Sequence, residues 1–186
     1  MLIIVTNSKM MKKNISFIIF ALFFISHIFG QATYQTFSNE GFKVKCGCQL
    51  YINTTFISMA KQSAANNIIA AYVCAENEDN FDTGVITNIN IYDESKNYKS
   101  IQQSSYTTFE KKYLEQYAIN LKNAGINYMY LTYQGVSAIE YTFDMQGMPA
   151  KAIIFLKNKK SYLLQVATRK SLTSIFNSLK TSFVIL

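Results

Sequence analysis

The feature that most restricts this chain is residues 108–168, where a helical stripe gives way to alternating segments divided by turn residues. In residues 108–124, Phe109, Tyr113, Tyr117, Leu121 and Ala124, joined by Leu114 and Ala118, recur at a 3.6-residue period. Lys111, Lys112, Glu115, Asn120 and Lys122 take the opposite side. Thr107 and Glu110 stand in capping-box spacing at the start, and Gly125 supplies the stop. Strand-like segments follow at 127–134, 136–145, 150–156 and 161–168. Gly135, Gln146-Gly147-Met148-Pro149 and Lys157-Asn158-Lys159-Lys160 divide them. Short polar turns of this kind join antiparallel neighbours, so the segment predicts a meander with a helix packed on it.

Upstream, residues 42–52 alternate at first, with Phe42, Val44, Cys46 and Cys48 on one face and Gly47 marking a bulge. A short helix fits residues 55–65. Residues 68–75 form a continuous apolar run, as in a strand buried on both faces, and 85–92 alternate as a strand does. A last helix starts near Ser171 or Leu172 and buries Ile175, Phe176, Leu179 and Phe183. Without repeats or a Pro/Ser-rich linker, the reading is a single α+β domain over 33–186. It has one largely antiparallel sheet of about six strands packed with two main helices, an α/β/α sandwich.

Residues 1–32 read as a signal peptide. Lys12 and Lys13 precede an uncharged, mainly apolar run at 15–29, and Gly30-Gln31-Ala32 fits a small-x-small cleavage pattern. The run is shorter than the ~20 residues of a membrane-spanning helix, and no Cys follows it as a lipid-anchor site. Met10-Met11-Lys12-Lys13 is the usual opening of such a signal, so residues 1–9 read as a mis-assigned upstream start. Cleavage is expected between Gly30 and Thr33. Three of the 18 Lys and Arg leave with it, and the remaining fifteen face 11 Asp and Glu, a dispersed net charge of +4. The bias towards Asn, Lys, Ile, Phe and Tyr, with 1 Pro and no Trp, fits AT-rich bacterial coding. The expected destination is the periplasm or the extracellular medium.

The only His, His27, lies in that signal. A mature chain without imidazole excludes His-based triads, His-ligated zinc and imidazole acid–base catalysis. No nucleotide-binding, phosphate-loop or metalloprotease motif is present, and no cofactor is implied. No basic stripe with interleaved Arg calls for nucleic acid. Signal removal would leave no stable membrane insertion.

Cys46, Cys48 and Cys74 are the distinctive group. Export implies oxidising conditions, so they are disulfide candidates. Neighbouring strands can bring Cys74 to the ~5.5–6 Å Cα separation a bridge favours from either partner. Cys46 and Cys48 point the same way on a regular strand and bridge each other only if Gly47 bends the chain. Cys74 is therefore expected to pair with Cys48 or Cys46. Buried free thiols, a redox couple of Cys46 and Cys48, and a soft-metal thiolate site are the alternatives.

The acidic residues 76–82 have calcium-type oxygens but lack the spacing of a calcium loop, and read as a solvated turn. Tyr128 and Tyr130 share one face of the segment 127–134, while Met129, Leu131 and Tyr133 share the other. An exposed set would make Tyr128, Tyr130 and Tyr133 a candidate binding surface for a sugar or a protein. The plainer reading has Tyr covering a half-buried sheet. Glu140 and Asp144 sit four residues apart on one strand, ~13 Å between Cα atoms, beyond the ~5–9.5 Å carboxyl spacing of glycoside hydrolysis.

The element order, with the closing stretch from Lys160-Ser161-Tyr162-Leu163-Leu164 to Leu179-Lys180-Thr181-Ser182-Phe183 and with Gly41-Phe42, resembles the PsbP-like family of small exported α/β/α domains. Where that family often carries an apolar-Pro-x-x-Trp stretch, this chain has Cys46-Gly47-Cys48. The resemblance implies a non-enzymatic binding or assembly role, with no catalytic residues to carry over. The implied partner is an unidentified protein or envelope component. A thiol–disulfide oxidoreductase or soft-metal-binding protein using Cys46 and Cys48, and a structural envelope component, are the competing classes.

Overall fold

Alternating apolar residues build the centre of the molecule. The computed structural model describes residues 33–186 apart from 64, 78 and 81, so the expected signal and its cleavage position lie outside the described residues. The chain begins β1 (Tyr34–Phe37), β2 (Phe42–Lys45), β3 (Tyr51–Ile52), α1 (Thr54–Lys61), β4 (Ile68–Glu76) and β5 (Val85–Asp93). It continues α2 (Ser95–Lys99), a 3-10 turn at Gln103–Ser105, α3 (Tyr106–Asn123), β6 (Tyr128–Tyr133), β7 (Val136–Met145), β8 (Met148–Lys157), β9 (Lys160–Thr168), α4 (Leu172–Ser182) and β10 (Val184–Ile185). One antiparallel sheet has the order β3-β4-β5-β9-β8-β7-β6, and β1-β2-β10 form a small second sheet. The α+β architecture is as expected, with seven strands in the main sheet instead of about six.

The meander is set by three two-residue turns. Gln134-Gly135, Gln146-Gly147 and Asn158-Lys159 all have positive φ, and they join Tyr133 to Val136, Met145 to Met148 and Lys157 to Lys160. Such turns match the right-handed twist of the strands they connect. β8 starts two residues earlier than the sequence suggests and includes Pro149. Pairing of β8 with β9 begins only at Ala150, so the missing proline N–H removes nothing from that ladder.

Each face of the main sheet carries a core. On one, Tyr72, Ile89, Ile153, Phe155, Tyr162 and Leu164 pack against Phe42 and Val44 of β2, Phe176 and Leu179 of α4, and Phe183. The Phe42 and Phe183 rings stack 5.1 Å apart. On the other, Ala71, Ile139, Tyr141, Ile154 and Leu163 meet Ala60 of α1 and Leu114, Ala118 and Leu121 of α3.

Three local expectations are corrected. α3 starts at Tyr106, with Ser105 at its N-cap making no side-chain cap bond. Glu110 accepts a 2.7 Å hydrogen bond from the Tyr98 hydroxyl instead of completing a box with Thr107. Strand β2 stops at Lys45, and the chain loops through Cys46, Gly47 and Cys48 before the two-residue β3. The α3 terminus is as read: Gly125 has φ +70, its N–H bonds Lys122 O, and Ile126 N–H bonds Leu121 O, a Schellman ending.

Candidate functional site

The cysteines sit at one margin of the main sheet. Cys48, in the loop after β2, is bonded to Cys74 near the end of β4, with Cα atoms 5.8 Å apart and a sequence separation of 26. Closing that loop is worth roughly 3–4 kcal/mol in the chain-entropy picture. The Gln35 side chain fixes the loop from β1: its Nε2 donates to Cys48 O at 2.8 Å, and its Oε1 accepts from Leu50 N at 2.7 Å. Cys46 is a buried free thiol. Burial, and then the charge of Glu76, push its pKa up to about 12. Glu76, which the sequence pattern places in a turn, ends β4, and its carboxylate lies so close over Gly47 that a Cβ at that position would run into it. The sulfurs of Cys48 and Cys74 and a Glu76 oxygen all fall within 4.8 Å of one another. Only the absence of a side chain at Gly47 hints at this in the sequence.

Glu140 faces α4 from β7 and is buried, yet both its oxygens are paired. Lys151 Nζ lies 2.7 Å from Oε1 and Lys180 Nζ lies 2.6 Å from Oε2. The two ammonium groups also stand 5.4 Å and 5.5 Å from the centre of the Phe176 ring. Burial raises the Glu140 pKa, but the hydrogen bonds from Lys151 and Lys180, with their charges, outweigh it and hold the carboxyl below its ordinary range. Asp144 is occupied elsewhere: its Oδ1 accepts from Gly147 N at 2.6 Å in the hairpin turn. The two carboxylates are not brought together.

The tyrosines of β6 divide. Tyr128 packs partly onto the core under α3 and meets Tyr130 edge-on, with ring centres 5.8 Å apart. Tyr130 and Met129 are exposed, 54% and 61%. Tyr133 turns to the opposite face, stacks edge-on with Phe155 and donates a 2.6 Å hydrogen bond to Lys180 O. Only Tyr130, and in part Tyr128, therefore present aromatic surface. What the side-chain pattern did not predict is the backbone: β6 is the last strand of the main sheet. The two-residue turn makes Tyr133 and Val136 a hydrogen-bonded pair, and by alternation Leu131 and Met129 also bond β7. The N–H and C=O groups of Tyr128, Tyr130 and Thr132 consequently point outward, and no described segment pairs with them.

The opposite margin is much shorter, ending in the two-residue β3. There β4 is covered by β3, by the Asn53 N–H that bonds Ala71 O at the start of α1, and by the disulfide at Cys74. Charge, proline and bulges normally protect an edge, and β6, Tyr-Met-Tyr-Leu-Thr-Tyr, has none of them. Among the described residues no helix is long and apolar enough to cross a membrane.

An α+β sandwich with one long open sheet edge, at β6, is thus the class that fold and surface define. No family model matches the chain, and no curated protein matches it. Among solved structures it resembles cyanobacterial PsbP (CyanoP) from Synechocystis, with a TM-score of 0.48 and 12% identity over 88% of this chain and 99% of that one. It also resembles PA94, a protein of unknown function from Pseudomonas aeruginosa, with a TM-score of 0.38 and 10% identity over 78% of this chain and 88% of that one. The likeness to cyanobacterial PsbP is a weak one, of fold at low identity.

Proposed function

We propose that this chain is an exported, non-catalytic binding module that takes an extended segment of a partner protein onto strand β6. The observation that carries the reading is the uncharged, unpaired β6 edge with Tyr130 and Met129 exposed beside it. Main-chain hydrogen bonds to Tyr128, Tyr130 and Thr132 would supply affinity, and the exposed side chains would supply selectivity. The Lys–apolar–small pattern of residues 1–32 and the Cys48–Cys74 bridge support export. The competing oxidoreductase reading needs a Cys46–Cys48 couple, whereas Cys48 is joined to Cys74 and the Cys46 thiol is held protonated by burial.

Selection from a displayed library of random peptides tests the reading. Binders are expected to be β-prone, extended segments that lose affinity about tenfold or more to Thr132→Pro and Tyr130→Lys variants that still melt cooperatively. Binders indifferent to both substitutions, or none at all, would contradict it.

A further inference from the structure

The cysteine margin holds an arrangement that strand addition does not use. Two sulfurs and a carboxylate oxygen lie within 4.8 Å of one another, and Gly47 provides the gap in which the carboxylate sits. No ion pair to Glu76 is formed among the described residues. We propose that reductive opening of Cys48–Cys74 creates a site for a divalent cation of the Zn2+ class, held by Cys48, Cys74 and Glu76 with a fourth position left to water.

The chemistry balances. A dithiol reductant gives two electrons and two protons to the bridge, becoming a cyclic disulfide and leaving Cys48 and Cys74 as thiols. The cation then displaces both thiol protons and is bound by two thiolates and a carboxylate. A tetrahedral Zn2+ with bonds of ~2.3 Å to sulfur and ~2.0 Å to oxygen needs its donors about 3.5–3.8 Å apart. The sulfurs must part from bonding distance to reach that spacing, and the Glu76 oxygen, within 4.8 Å of both, needs at most a small side-chain shift to join them. The donor mix selects the ion: two thiolates alone suit Cu(I), whereas adding a hard carboxylate favours Zn2+. Cys48 and Glu76 are only half-buried, which leaves the cation a path in from solvent.

The test uses the full chain, reduced with dithiothreitol, desalted without air and titrated with Cd2+ alone as a spectroscopic stand-in for Zn2+. One Cd2+ per chain is expected, with thiolate-to-metal charge-transfer absorption, release of two protons and displacement by Zn2+; the oxidised chain should take up none. Glu76→Gln should weaken binding at least as much as loss of an outer-shell partner does, about tenfold. Cys46→Ser should leave stoichiometry and affinity unchanged. Far-UV circular dichroism of the reduced chain should keep its sheet signal. No uptake after reduction, equal uptake by the oxidised chain, indifference to Glu76→Gln, loss of binding in Cys46→Ser, or uptake only by a chain that has lost its sheet would each overturn the assignment.

Discussion

Glu140 shows how one buried charge can be both costly and necessary. Removed from water on the face beneath α4, its carboxylate is retained because Lys151 and Lys180 each hold one oxygen. Its native pKa is lowered, so its contribution is present above the ordinary carboxylate range and fades as pH falls through the lowered value. Glu140→Gln keeps the volume and removes the charge. Urea denaturation should show it less stable than wild type by about 1–3 kcal/mol at neutral pH. The gap should narrow as pH falls below the ordinary carboxylate range and through the lowered native value, because wild type then takes up the proton as well. A gap that stays the same throughout an acid titration would mean that the charge contributes nothing. This triad has no signature in the sequence, because its members come from β7, β8 and α4 and meet only after the sheet has formed. The cysteine pairing was half legible: spacing led to Cys74 with Cys46 or Cys48, and the stop of β2 at Lys45 decided for Cys48.

At the scale of elements, periodicity and turn residues carried the reading. β5, β7, β9, α3 and α4 were all legible from alternation or a helical stripe, because each buries a regular set of side chains. β1, β10 and α2 were not. The first two are four and two residues long and exist through pairing with β2. The five-residue α2 is held by tertiary contacts at Glu94, whose buried carboxylate accepts from Asn67 at 3.0 Å and Asn97 at 2.6 Å. The two glycines at structural boundaries differ in what they avoid. Gly125 has φ +70 with open space around it, so Gly125→Ala should cost only backbone strain, about 1 kcal/mol. A thermal melt should show a drop of about 2–4 °C with unchanged cooperativity. At Gly47, by contrast, an added methyl would collide with the Glu76 carboxylate.

For the whole molecule, two cores on opposite faces leave the sheet margins as the places where function can differ. α4 and the small sheet cover one face, and α1 and α3 cover the other. One margin is cut short at the two-residue β3, beside α1 and the bridge, and the other ends at the six-residue β6. Side-chain alternation identified Tyr128, Tyr130 and Tyr133 as a candidate surface but could not say which strand would lie outermost, since strand order is fixed by pairings across the whole chain. Residue-resolved hydrogen exchange of the isolated, folded protein tests the open edge most directly. The amides of Met129, Leu131 and Tyr133 should be protected by β7, while those of Tyr128, Tyr130 and Thr132 should exchange rapidly. Equal, strong protection of all six would mean that another segment covers the edge, and would contradict an open β6.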